Sequence, residues 1–255
     1  GSAFSEILSR EHVTGLDLPD LDVTSATSVE QALDFVRPTV ILNCSGFTRV
    51  DEAEQKRDEA FAVNATGPGI LARTAAQHHA RLVHFSTDYV FNGLKKTPYT
   101  EEDAVNPLNV YGASKLEGER QVLTTHPAHL VLRTSWLFGP HGKNFVDTIL
   151  RLSETRPELR VVSDETGGPT YTYHLAAATL AAVSAGLSGL FHVTGKGRTT
   201  WADFARKILA LRKRDTNVVS ITAEEYGALA RRPSWSVLDT GKFERAAGLP
   251  LPAWE

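Results

Sequence analysis

Short apolar runs alternate with amphipathic stretches along the first 140 or so residues, and a chain with that rhythm has few folds open to it. Helical patterns through Ala3–Leu8, near Ser28–Val36, Asp51–Asn64 and Pro68–Gln77 interleave with strand patterns at His12–Asp17, Val40–Asn43 and a run ending at Thr87. A helix from Tyr111 to about Leu123 and a strand at Leu130–Thr134 extend the series. Strands joined through helices run parallel, and right-handed crossovers lay those helices over the sheet. The expected fold class is α/β, a Rossmann-type doubly wound parallel sheet.

After Asn144 the rhythm loosens. Helices at Phe145–Leu152, Leu175–Ala185 and Trp201–Leu211 and strands at Leu159–Val162 and Gly189–Thr194 flank the turn-rich segment Asp164 to Thr170, which suits a ligand-lining loop. Two domains are expected: residues 1–140 as a dinucleotide-binding Rossmann domain, and 141–255 as mainly a smaller C-terminal substrate-binding lobe, with some segments returning to the Rossmann sheet.

Composition narrows the partners. The net charge is −3 and the Lys and Arg residues are scattered, so no electrostatic footprint for nucleic acid is present. No window carries the roughly 18 apolar residues of a membrane span, and no signal segment opens the chain. The single cysteine, Cys44, follows the apolar run Thr39–Asn43 and reads as an inert core thiol; a cytoplasmic location is expected. Nine histidines show no metal-ligand spacing, so no metal site is expected, and His78 and His79 read as a solvated surface pair.

The chemistry concentrates in Tyr111-Gly-Ala-Ser-Lys115, where a phenol and an ammonium sit one helical turn apart. An ammonium about 4 Å away, at an effective dielectric of about 20, favours the phenolate by roughly 4 kcal/mol, bringing a pKa near 10 down toward 7. Tyr111 is thus expected to donate a proton to a carbonyl oxygen, with Lys115 tuning it. The run Leu82 to Phe91 breaks into hydroxyls at its C-terminal end, where ligands of open α/β sheets collect, so Ser86 or Thr87 is expected to share the substrate oxygen. Asp17, ending an early strand, is where such a sheet places a carboxylate against the adenine ribose.

Together with Leu21-Asp-Val-Thr24, Val50-Asp-Glu-Ala-Glu54, Ala62-Val-Asn64, Ser86-Thr-Asp-Tyr-Val-Phe-Asn-Gly93, Asn106 to Lys115, Arg133-Thr-Ser-Trp136, Gly168-Pro-Thr170, Trp201-Ala-Asp-Phe-Ala205 and Arg232-Pro233, these residues make the chain resemble the dTDP-4-dehydrorhamnose reductases. These are extended short-chain dehydrogenase/reductases, and the resemblance runs along nearly the whole chain. It implies reduction of the C4 ketone of a dTDP-linked 4-dehydro-L-rhamnose with NADPH or NADH. It also implies that Tyr111 is the general acid, that Lys115 binds the nicotinamide ribose and tunes it, and that Thr87 supports the carbonyl. Asp88 and Trp136 would contact the sugar nucleotide. Cofactor contacts would fall on Asp17, on Asp22 and Val23 around the adenine, and on Gly46, Phe47 and Thr48. Asp17 would repel a 2′-phosphate, so NADH use is expected beside NADPH. The family includes monomers and metal-linked dimers, and a homodimer is one expectation.

Departures accompany the matches. The family's first strand and glycine-rich pyrophosphate loop are expected to be missing from this chain unless Gly1, sixteen positions before Asp17, is the loop's last glycine. Without that loop, cofactor affinity and activity are expected to suffer. Phe47 stands where tyrosine or histidine is common in the family, and Glu165 where glutamine is. Two other functions stay open at this level. One is a non-catalytic regulatory subunit like the β-subunit of methionine adenosyltransferase, which keeps the Tyr/Lys pair; the other is a reductase of a different nucleotide-linked 4-keto sugar.

Overall fold

The structure is a computed structural model and describes residues 1–8 and 13–255. Helices α1 (Ser2–Ile7) and α2 (Ala26–Val36) precede strand β1 (Val40–Asn43). Helices α3 (Val50–Gln55) and α4 (Arg57–Phe61), a π-helical turn at Ala62–Thr66 and α5 (Gly67–Gln77) lead to β2 (Arg81–Thr87). A 3-10 turn at Asp88–Val90, α6 (Val110–Thr125) and β3 (Leu130–Thr134) follow. Then come β4 (Leu137–Phe138), α7 (Phe145–Ser153), β5 (Glu158–Val162), β6 (Thr166–Gly167), β7 (Thr170–Tyr171) and α8 (Thr172–Ser184). The chain closes with β8 (Gly189–His192), β9 (Thr199–Thr200), α9 (Trp201–Leu211), β10 (Asn217–Ile221), α10 (Ala223–Tyr226) and α11 (Gly241–Ala247).

Among the described residues, the central sheet is four parallel strands in the order β1-β2-β3-β8. Its interior strands are apolar on both faces, as parallel strands covered on two sides must be. The two-residue period sorts them. Leu82 and Val131 face α2, α5 and α6 through Val29, Leu33, Leu71, Ala75 and Val122. Val83, Leu130 and Leu132 face the other way, onto Leu175, Ala178 and Ala182 of α8 and Phe243 of α11. The register sets Thr87 of β2 opposite Thr134 of β3, so both strands finish in hydroxyls at the same height. A second core joins the parallel pair β5 and β10 to α7 and α9 through Ile149, Leu159, Val161, Phe204 and Ile208. Segments α8, β8 and α11, although late in sequence, cover or extend the main sheet.

Three expectations fail locally. His12 lies outside the described residues, and Val13–Asp17 is irregular rather than a strand. A strand exists only where a neighbour supplies its ladder, and the described residues give this segment none; Asp17 instead turns its carboxylate to the Leu18 N–H at 2.9 Å. The helix expected over Asp51–Asn64 breaks at Lys56, with φ −119° and ψ 50°, and then widens into the π turn. Cys44 is exposed, because it falls one residue beyond the end of β1, at the mouth of the sheet instead of within it.

Candidate active site

Helix α6 delivers Tyr111 and Lys115, and its position follows from small residues and caps. Asn109 closes its N-terminus by accepting from the Gly112 N–H at 2.7 Å, while Glu54 of α3 accepts from the Val110 N–H at 2.8 Å. Two glycines let the helix lie flat on other backbone. A Cβ on Gly112 would stand 2.2 Å from the Tyr89 carbonyl oxygen, and one on Gly118 2.1 Å from that of Asn64. Asn64, in the π turn, binds the Phe47 N–H at 2.8 Å and donates to the Phe47 carbonyl and to Ser114 Oγ, each at 3.0 Å. One amide side chain therefore ties the loop after β1 to the helix that carries Tyr111.

A cleft of about 600 Å³ opens at the C-terminal ends of the strands. Tyr111, Lys115, Thr87, Asp88, Trp136, Gly46 and Thr48 all line it. Phe47 is buried beneath the loop, with the Arg49 guanidinium 4.6 Å from its ring centroid. Asp17, Asp22 and Val23 are not among the lining residues. Asp22 spends its carboxylate on the Thr24 N–H and hydroxyl, and Val23 packs where a Cβ on Gly67 would meet it.

The electrostatics correct the expectation for Tyr111. Loss of water pushes its phenol up to about 12, with the Thr87 hydroxyl drawing it down and the Asp88 charge adding to the rise. Lys115 does not offset this: its Nζ donates to the Phe85 carbonyl, and burial brings the ammonium down to about 8, against the pull of Glu119. Proximity in sequence counts the attraction and omits desolvation, which dominates here. A phenol that holds its proton at neutral pH is an acid ready to donate. Asp88 moves the other way from an ordinary carboxylate: burial raises it to about 7, and the Ser236 and Thr87 hydroxyls oppose the rise.

The opposite wall is aromatic. Trp136 and Trp201 stack with centroids 3.4 Å apart and planes within 6°, and Phe145 packs against Trp201. Trp136 holds φ at 45°, a left-handed conformation uncommon for a bulky side chain. Its ring leaves no room at Gly167, where a Cβ would stand 2.4 Å from it. Trp201 Nε1 donates to buried Glu165 at 3.1 Å, which explains how a carboxylate fits at that position. Nothing in the spacing of the sequence marks Trp201 and Glu165 as neighbours in one site.

The cleft fits a nicotinamide cofactor. Ser86 Oγ and Thr134 Oγ1, both buried on its floor, have no hydrogen-bond partner, as expected of groups that await a ligand. The first turn of α1 lines the same cleft, with Gly1 at its N-cap and no side chain capping it. Elsewhere, Glu30, Asp34 and His78 bring ligand atoms within 4.8 Å of one another, a trio from α2 and the end of α5 that sequence spacing conceals. His78 is bonded there to Glu30 at 3.0 Å rather than simply solvated. No described helix is long and apolar enough to cross a membrane.

A tyrosine and lysine one turn apart, on a helix beside the C-terminal ends of a Rossmann sheet, define a short-chain dehydrogenase/reductase. More narrowly, the chain belongs to the RmlD substrate binding domain family, whose profile matches residues 1–255. It is 41% identical over 251 residues to a dTDP-4-dehydrorhamnose reductase of Sinorhizobium fredii, covering 94% of this chain and 85% of the relative. A dTDP-4-keto-6-deoxy-D-glucose reductase of Streptomyces niveus is 39% identical over 246 residues, covering 96% and 85%. The crystal structure of a Bacillus anthracis dTDP-4-dehydrorhamnose reductase in complex with NADP superposes with a TM-score of 0.97 at 38% identity, over 100% of this chain and 91% of that one.

Proposed function

We propose that this protein reduces the C4 ketone of dTDP-4-dehydro-L-rhamnose to dTDP-L-rhamnose, with NADPH or NADH as cofactor. The observation that carries the reading is that Tyr111 lines one cleft with Thr87, Lys115 and an indole wall, where burial pushes its phenol up to about 12. The bound nicotinamide supplies the hydride. Tyr111 gives its proton to the oxygen as negative charge develops there, which avoids a free alkoxide. Lys115 is assigned to the nicotinamide ribose. Thr87 and the uncommitted Ser86 hydroxyl hold the reacting oxygen, while Trp136 offers a flat apolar face to the deoxysugar and Asp88 a carboxyl to the sugar nucleotide. Asp17, Asp22 and Val23 are assigned to the adenosine end of the cofactor, and Gly46, Phe47 and Thr48 to its middle, where glycine permits close backbone approach.

The deciding experiment follows NADPH oxidation by the purified protein with dTDP-4-dehydro-L-rhamnose and no partner protein. One NADPH consumed per dTDP-L-rhamnose formed is the expected result, and no oxidation would overturn this substrate assignment. The Streptomyces relative gives a second ketone to try, dTDP-4-keto-6-deoxy-D-glucose. A higher kcat/KM for that sugar would move the assignment to the sister reaction. With its single cysteine and nucleotide-activated substrate, the protein is assigned to the cytoplasm.

A further inference from the structure

We propose that His84 is a positioning residue for the nicotinamide cofactor, acting through Asn43 on the cleft-lining loop Ser45–Thr48. The inference rests on cofactor use and not on the identity of the sugar. His84 itself does not line the cleft. The parallel register sets Asn43, the last residue of β1, opposite His84 of β2, and both are buried, at 4% and 0% exposure. His84 Nδ1 lies 3.1 Å from Asn43 Nδ2. Asn43 Oδ1 in turn accepts from the Ser45 N–H at 3.1 Å and from Ser45 Oγ at 2.6 Å, which turns the chain out of β1 toward Gly46 and Thr48 at the cleft.

Donor identity fixes every proton in this series of contacts. A backbone N–H only donates, so the Asn43 atom facing the Ser45 N–H is the carbonyl oxygen and the atom facing His84 is the amide nitrogen. That nitrogen offers donors alone. His84 Nδ1 must therefore present a lone pair, which makes the imidazole neutral with its proton on Nε2. Burial holds the ring well below the usual imidazole range, and the Lys115 charge adds to the fall. A ring protonated on Nδ1 would set two donors against each other, a conflict that Asn43 relieves only by turning its amide and withdrawing Oδ1 from Ser45. Loop position and imidazole state are thus linked.

Packing alone does not account for a histidine here. Its Nε2 is buried without a partner, on the side where a Cβ at Gly118 of α6 would stand 3.5 Å away. A buried N–H left unbonded costs stability that an aliphatic side chain would not incur. What the imidazole supplies is the Nδ1 acceptor. From the other side, Asn64 binds the Phe47 N–H and carbonyl at 2.8 and 3.0 Å, so the loop is held at two points, Ser45 from the sheet and Phe47 from the π turn. Gly46, between them, presents its backbone to the cleft.

The test sets two substitutions against each other. His84→Asn places Oδ1 where Nδ1 stood and leaves space behind it, whereas His84→Leu fills the space without an acceptor. Kd for NADPH, from fluorescence titration without sugar, should rise about tenfold in His84→Leu and stay within about threefold in His84→Asn. KM for NADPH should follow Kd, with kcat at saturating NADPH within about threefold in both variants. Nitrogen NMR adds a readout that no packing role would move. At pH 7 the His84 ring, identified by its loss in His84→Asn, should carry its proton on Nε2 and none on Nδ1. A proton on Nδ1, an unchanged Kd in His84→Leu, or a loss in His84→Asn as large as that in His84→Leu would each overturn the proposal. Should His84→Leu not fold, a proton on Nε2 together with retained NADPH affinity in His84→Asn upholds it, and any other result overturns it. Failure to reduce either ketone would remove the sugar assignment and leave the titration and NMR outcomes to decide this inference by themselves.

Discussion

The floor and the wall of the cleft are built by different means. The floor comes from two short stretches, Ser86–Asp88 and Tyr111–Lys115, each placed by one regular element, and beneath them Glu119 and Arg133 form a buried ion pair with bonds of 2.7 and 2.9 Å. The wall draws Trp136, Phe145, Glu165, Gly167 and Trp201 from five separate places, and keeps Trp136 in a left-handed conformation. The floor gains its precision from backbone contact and tolerates no added atoms. The wall gains it from side-chain stacking, in which position is shared among several rings, so damage should spread less steeply.

The largest expected effect falls beneath the floor. Glu119→Gln leaves the Arg133 guanidinium, 3% exposed, without its counter-charge, and should cost about 3–5 kcal/mol in urea denaturation. A loss under about 1 kcal/mol would mean that water or His192, 3.4 Å from Arg133 Nη1, already shares that charge. Next, Tyr111→Phe should keep cofactor binding, measured by fluorescence titration, and lower turnover at least about a hundredfold. Unchanged turnover would remove Tyr111 as the acid. A third substitution probes contact rather than charge: Gly118→Ala sets a methyl 2.1 Å from the Asn64 carbonyl oxygen. It should destabilise by about 1–3 kcal/mol despite the better helix propensity of alanine. The smallest effect belongs to the wall. Trp201→Leu should raise KM about tenfold and leave kcat within about threefold, since the indole acts on binding and not on proton transfer. A fall in kcat matching that of Tyr111→Phe would erase the distinction between the two regions.

The floor was legible because its signals are contiguous. An apolar run that ends in hydroxyls, and a Tyr/Lys pair at helical spacing after an asparagine cap, each lie within one element. The sign of the Tyr111 shift was not legible, since spacing reveals the neighbouring ammonium but not the removal of water or the Phe85 carbonyl that takes the lysine. Trp201 lies 65 positions from Trp136, and their stacking depends on a backbone conformation that composition does not encode. Cys44 and Val13–Asp17 depart from expectation for a related reason: apolar character suggests burial or strand, whereas both depend on what lies alongside.

Residue order is enough to specify the parallel α/β class, the order of helices and strands over most of the chain, and which two side chains share a helix turn. These follow from periodicity and local chain geometry, which short-range physics governs. Packing set the upward direction of the Tyr111 and Asp88 pKa values through burial, the contact of Thr87 with Asp88 and the stacking of the indoles. Solvent exclusion and contact between distant segments are properties of the packed molecule, and they exist only once the sheet and its helices have closed around the cleft.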